Sequence, residues 1–169
     1  MNRNTIFALV AIIGAVSASA ALADEASDKA AVARQIGSAK ISLQQGLAAS
    51  EAQGQAISAK FEIDEGKFQL SVYTAKGTAL QEVIVDYTTG KIAKAESLSE
   101  AEDVAAGRKQ VAAMAKATTT LKDAVDKAEK QTPGFRAVSV EPKSKVNHAV
   151  AVVTLVKGAE FKSVSKSLE

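Results

Sequence analysis

The chain has 169 residues, 47% of them hydrophobic and 24% charged, with a net charge of +2, one histidine, no cysteine and 4% aromatics. A cysteine-free chain has no disulfide framework, no thiol nucleophile and no Cys-ligated zinc or iron–sulfur site, and one histidine cannot build a multi-His metal cage. Near-neutral charge and scarce aromatics offer neither the phosphate-neutralising patch nor the base-stacking platform of a nucleic-acid binder.

The first 23 residues carry one charge, Arg3. An apolar stretch from Ile6 to Val16 follows the polar start, and small residues then lead into Ala21-Leu22-Ala23 before Asp24. This order is that of a secretory signal peptide, with cleavage expected between Ala23 and Asp24 and Ala18-Ser19-Ala20 as a second site. The stretch is about 11 residues, against roughly 20 for a membrane span. With no cysteine after the site, no lipid anchor is expected. The expected product is a periplasmic or secreted chain of about 146 residues, without a stable membrane anchor after cleavage.

Residues 25–39 read as a helix with Val32 and Ile36 on its apolar side. A second helix places Leu43, Gly46, Leu47 and Ser50 at i, i+3, i+4 and i+7, with Ser42 as its N-cap and Gln45 reaching back. Strands follow: Phe61 and Ile63 alternate with polar residues, and Asp64-Glu65-Gly66 turns. Phe68, Leu70 and Val72 oppose Gln69, Ser71 and Tyr73, Lys76-Gly77 turns, and Val83-Ile84-Val85 leads to Asp86–Gly90 and Lys91-Ile92. The pattern then recurs. Residues 100–117 carry the stripe Val104, Gly107, Val111 and Met114, with Ser99 and Glu102 as a capping box. Thr120 caps a helix bearing Leu121, Ala124, Val125 and Ala128, ended by Pro133-Gly134. Strands run over 135–140, 148–156 and 161–164, with a turn at Lys157-Gly158. The Lys-Gly turns lie 81 positions apart and the helices 78, so one short insertion separates two copies.

The first copy resembles the PepSY domain family. The resemblance rests on Ile41-Ser42-Leu43, Glu51-Ala52 and the ending Gly77, Val83, Val85, Asp86, Thr89, Gly90 and Ile92, across roughly residues 40–97. Lys76 and Phe68 depart from the family, where Asp and Tyr are usual. The second copy, about 118–169, is weaker and ends without the Asp-x-x-Thr-Gly turn and the strand after it. The resemblance implies an α+β fold of two helix–helix–antiparallel-sheet repeats, with the helices on one face of the sheet, similar to that of β-lactamase-inhibitor proteins. The expected division is signal peptide 1–23, first repeat 24–98 and second repeat 99–169. The family's occurrence in metallopeptidase propeptides implies an envelope-protein partner of the peptidase kind, restrained by docking. It offers no catalytic residues, and no cofactor is expected.

The residues themselves carry little chemistry. No phosphate loop, nucleophile elbow, zinc helix or EF-hand loop is present. His148 reads as a structural or surface histidine, and Asp86 and Gly90 as turn residues. Two acidic clusters, Glu62/Asp64/Glu65 and Glu96/Glu100/Glu102/Asp103, supply oxygen ligands for a calcium- or lanthanide-like ion but lack regular loop spacing. Anchored on the Lys-Gly turns, the second copy places Val150 and Val152 where the first has polar residues. With Tyr73 they define a candidate partner or self-association surface, the alternatives being intramolecular cover or a register shifted by one. The expected function is a non-enzymatic exported binding protein. The alternative is a periplasmic small-ligand or metal-ion binding protein.

Overall fold

A computed structural model describes residues 18–146 and 148–169, with side chains from Glu25 onward. The expected signal segment before residue 18 lies outside the described residues, as does Asn147. The chain begins with helix α1 (Ala18–Gln35), a 3-10 turn at Ile36–Ser38 and helix α2 (Leu43–Ala49). Strands β1 (Gln55–Asp64), β2 (Lys67–Lys76), β3 (Ala79–Val85) and β4 (Ile92–Ser97) follow. Then come α3 (Ala101–Met114), α4 (Leu121–Gln131), β5 (Arg136–Lys145), β6 (His148–Lys157) and β7 (Glu160–Ser167). The expected break between cleaved and mature chain, Ala23–Asp24, falls inside α1.

The seven strands form one antiparallel sheet in the order β4-β3-β2-β1-β5-β6-β7. The two hairpins share one register. Ser58 faces Tyr73 and Asp64 faces Lys67; 81 positions on, Ser139 faces Thr154 and Lys145 faces His148. Both first strands are irregular at the equivalent place, between Ala56 and Ser58 and between Ala137 and Ser139. The connection into the second helix of each half repeats as well. Lys40 and Ile41 N–H groups donate to Tyr87 O at 2.8 and 3.2 Å, and Thr118 and Thr119 N–H groups to Leu168 O at 2.6 and 2.9 Å. Strands β1 and β5 meet at Ala59/Val140 and Lys60/Ser139, which joins the halves into a continuous sheet.

Local chemistry explains most of these elements. Ser42 forms the complete capping box with Gln45, each side chain bonding the other's backbone N–H at 3.2 and 2.8 Å. Thr120 accepts from Asp123 N at 3.0 Å, but Asp123 bonds the Thr120 hydroxyl rather than its backbone. The capping box expected from Ser99 and Glu102 is not formed: Glu100 is the N-cap of α3, and its side chain makes no cap hydrogen bond. Glu65 (φ 49°) and Gly66 (φ 76°) make the tight β1–β2 turn, where both central residues need positive φ.

The helices lie on both faces of the sheet, which corrects the one-face expectation. On β2, Leu70 and Tyr73 point to opposite sides. Gly46 of α2 sits against Leu70, whereas Gln110 of α3 accepts from Ser58, the cross-strand neighbour of Tyr73, at 2.9 Å. Helix α4 joins α2 through Gln44, which donates to Asp126 and Glu129 at 3.0 and 2.7 Å. Each half thus sends its first helix over one face and its second over the other. For that reason β2 buries Leu70, Ser71, Val72, Tyr73 and Thr74 in succession.

Candidate functional site

On the Tyr73 face of the first half, polar side chains are buried rather than solvated. Tyr73, 1% exposed, donates from its hydroxyl to Glu82 Oε1 at 3.2 Å across the β2–β3 pair. Ser71, fully buried, donates to Glu62 Oε1 at 2.5 Å, and Lys60 forms an ion pair with the same carboxyl group. Lys60 also lies 5.7 Å from the Tyr73 ring centroid. Helix α3 closes the face from above. Its Gly107 lies where a Cβ would come within 2.9 Å of Leu80, so only glycine permits this approach without displacing Leu80.

Beside this network lies a crevice of about 190 Å³ lined by Glu82, Glu96, Ser97, Leu98, Ser99, Glu100 and Asp103. The β3–β4 pair brings Glu82 opposite Glu96, and the first turn of α3 brings Asp103 over them. Glu82 is 8% exposed and Asp103 4%. Burial, reinforced by Glu62, holds the Glu82 carboxyl above the ordinary carboxylate range. Burial also raises Asp103, with Glu100 and Glu102 adding to it and Lys60 opposing it. Burial raises the Tyr73 phenol, with Glu62 and Glu82 in support. Asp103 Oδ1 is buried with no hydrogen-bond donor.

The expected partner surface divides. Tyr73 is buried under α3 and bonded to Glu82, so it cannot form an exposed surface, because α3 occupies the face that alternation alone leaves open. Val150 and Val152 are half-buried on β6, flanked by Lys143 and Glu141 of β5 and by Ser167 and Ser165 of β7. At the seam of the two halves, a cleft of about 810 Å³ lies between α1 and the sheet, with Lys29, Val32, Lys60, Glu62, Ser139 and Thr154 among its walls.

The two acidic clusters also divide. Glu62 turns inward to Ser71 while Glu65 remains exposed at the hairpin tip. Glu96, Glu100 and Asp103 join Glu82 in the crevice, and Glu102 is exposed. Among the described residues, no three His, Asp or Glu side chains come together as a group that could hold a metal ion. His148 is exposed and pairs with Glu169 at 3.2 Å. Asp86 accepts from Thr88 and Thr89 N–H groups, both at 2.8 Å, as a turn residue does. Sequence reading missed Glu82. The available signal was a glutamate directly before the apolar run Val83-Ile84-Val85, level with a tyrosine on the neighbouring strand.

No protein-family model and no curated protein matches the chain. Among solved structures, the chain is similar to a "putative lipoprotein" from Clostridium difficile 630 at 15% identity, with a TM-score of 0.41, over 71% of this chain and 79% of that one. Among the described residues, no helix is long and apolar enough to cross a membrane.

Proposed function

We propose that the chain is a non-enzymatic exported binding protein of two PepSY-like repeats whose second half docks an envelope protein. The observation that carries this reading is the contrast on one sheet face. In the first half, α3 seals that face over Tyr73, Glu82 and Ser58. Beside α3, the cleft beneath α1 spans the seam between Lys60 and Glu62 of β1 and Ser139 and Thr154 of β5 and β6, and Val152 and Val150 continue the row of Thr154 half-exposed. Among the described residues, no strand pairs with the outer edge of β7, whereas the equivalent edge of β3 is covered by β4. A half-exposed apolar row, a cleft and an open strand edge together form the kind of surface that receives a protein. A peptidase is the partner class that the PepSY resemblance names. The test is photo-crosslinking from position 150 in the host envelope, followed by mass spectrometry. The reading predicts a discrete crosslinked partner that is lost in Val152→Asp; labelling by the bulk proteome in proportion to abundance contradicts it. The second reading, a small-ligand binding envelope protein, draws on the acidic crevice of the first half.

A further inference from the structure

We propose that the crevice between β3, β4 and the first turn of α3 is a binding site for a guanidinium group, held by Glu82, Glu96, Glu100 and Asp103. The proposal rests on the first half alone and stands or falls separately from docking at the second. Four carboxylates line the crevice. Asp103 is 96% buried, yet one of its oxygens has no donor among the described residues. A buried acceptor left unpaired is costly, so the site is completed by a ligand that brings donors. Of the nearby cations, Lys60 is engaged by Glu62, and Lys94 pairs with Glu96 at the crevice rim at 2.8 Å.

The form of the site selects among cations. A metal ion needs ligands converging on one point, and no three carboxylates do so among the described residues. An ammonium is a compact, strongly hydrated point charge. A guanidinium is planar, spreads its charge over five N–H donors and bridges separated carboxylates, with less hydration to lose on entering a buried site. The crevice volume of about 190 Å³ lies below that of drug-sized ligand pockets, roughly 300–1,000 Å³, and suits one such group.

The experiment is a titration of the isotope-labelled full chain at low ionic strength, read from amide shifts. The probes are methylguanidinium, the tripeptide Ala-Arg-Ala, methylammonium and calcium. Saturable shifts at Leu98, Ser99 and Asp103 are expected with methylguanidinium, weakening from pH 7.5 to pH 5 as the carboxyl groups take up protons. Glu100→Gln, at an exposed position, and the isosteric Asp103→Asn are each expected to weaken binding by about fivefold or more, with the rest of the spectrum unchanged. Tighter binding of the tripeptide identifies an arginine side chain as the ligand, and equal binding a free small guanidinium; both support the proposal. Absence of saturable shifts, methylammonium binding equally well, or calcium binding at the same amides as tightly overturns it.

Discussion

The two halves build one scaffold from different side chains, and the difference falls on one face. At matching register positions, Tyr73, Glu82 and Ser71 of the first half correspond to Thr154, Ser163 and Val152 of the second. In the first half a large phenol and two carboxylates fill the space under α3. In the second, Val152 and Thr154 are half-buried and Ser163 is exposed. Even the ion pairs invert: Lys60 with Glu62 on β1, and Glu141 with Lys143 on β5. Backbone pairing tolerates these exchanges because register is set by turns and by the apolar face, which both halves keep. The comparison teaches that the conserved geometry is structural and that the divergent face is where function can differ.

The apolar face shows the same trade in packing. Gly46 of α2 meets Leu70, and the matching pair in the second half is Ala124 and Ala151. A Cβ at position 46 would lie 2.5 Å from Leu70 Cδ2. Gly46→Ala is therefore expected to destabilise by about 1–3 kcal/mol through overpacking, despite better helix propensity, in urea unfolding. Ala124→Gly removes a fully buried methyl and lowers helix propensity, costing about 1–2 kcal/mol. Combining Gly46→Ala with Leu70→Ala, which copies the second half, should cost less than the sum of the two. Full additivity would break the comparison.

The buried carboxylates give a pH signature confined to the first half. Asp103 is raised above its ordinary range, so its contribution to stability is fully present below the unfolded value and is lost as pH rises through the folded one. Asp103→Asn should raise Tm at pH 8 by roughly 2–4 °C, the shift that about 1 kcal/mol gives at this size. The gain should fade towards pH 4. An equal gain at both pH values would show that the carboxyl group is not desolvated in the fold. Asp86 works in the opposite sense with a smaller effect. Thr89 and Thr88 N–H groups hold its carboxyl below the ordinary range, so the stability it gives is present at neutral pH and lost as pH falls through that lowered value. Its counterpart, Ser167, accepts from Glu169 N and does not titrate. Asp86→Ser should slightly lower Tm at pH 7 and flatten its decline below about pH 4.

The strands were legible because period-2 alternation and Lys-Gly turns are local signals, and their spacing of 81 reappears in every paired register. The bulges at Ile57 and Val138 were not, since an extra residue in a strand has no local mark. Helix α3 misled for a physical reason. Its spacing predicts a stripe of Val104, Gly107, Val111 and Met114, but Asp103, Gly107, Gln110, Ala113 and Met114 are the buried residues. A helix that buries an aspartate and a glutamine against a polar patch has no apolar stripe to read. The placement of helices on both faces, and with it the burial of Tyr73, depends on how α3 crosses the sheet. The face that Val150 and Val152 share was legible from their spacing, because it needs only the strand register.

The central claim is that the sheet face is sealed in the first half and available in the second. Ser71 and Val152 occupy the same register position, Ser71 between Lys60 and Ile84 and Val152 between Glu141 and Ser165. The deciding measurement is the pair Ser71→Asp and Val152→Asp, each assayed for folding by circular dichroism and for the envelope partner crosslinked at position 150 by co-purification. Ser71→Asp adds a charge beside Glu62 at a fully buried site and is expected to abolish folding. Val152→Asp is expected to leave the fold intact and abolish association. Unfolding of Val152→Asp, or a folded Val152→Asp that still binds its partner, would contradict the account.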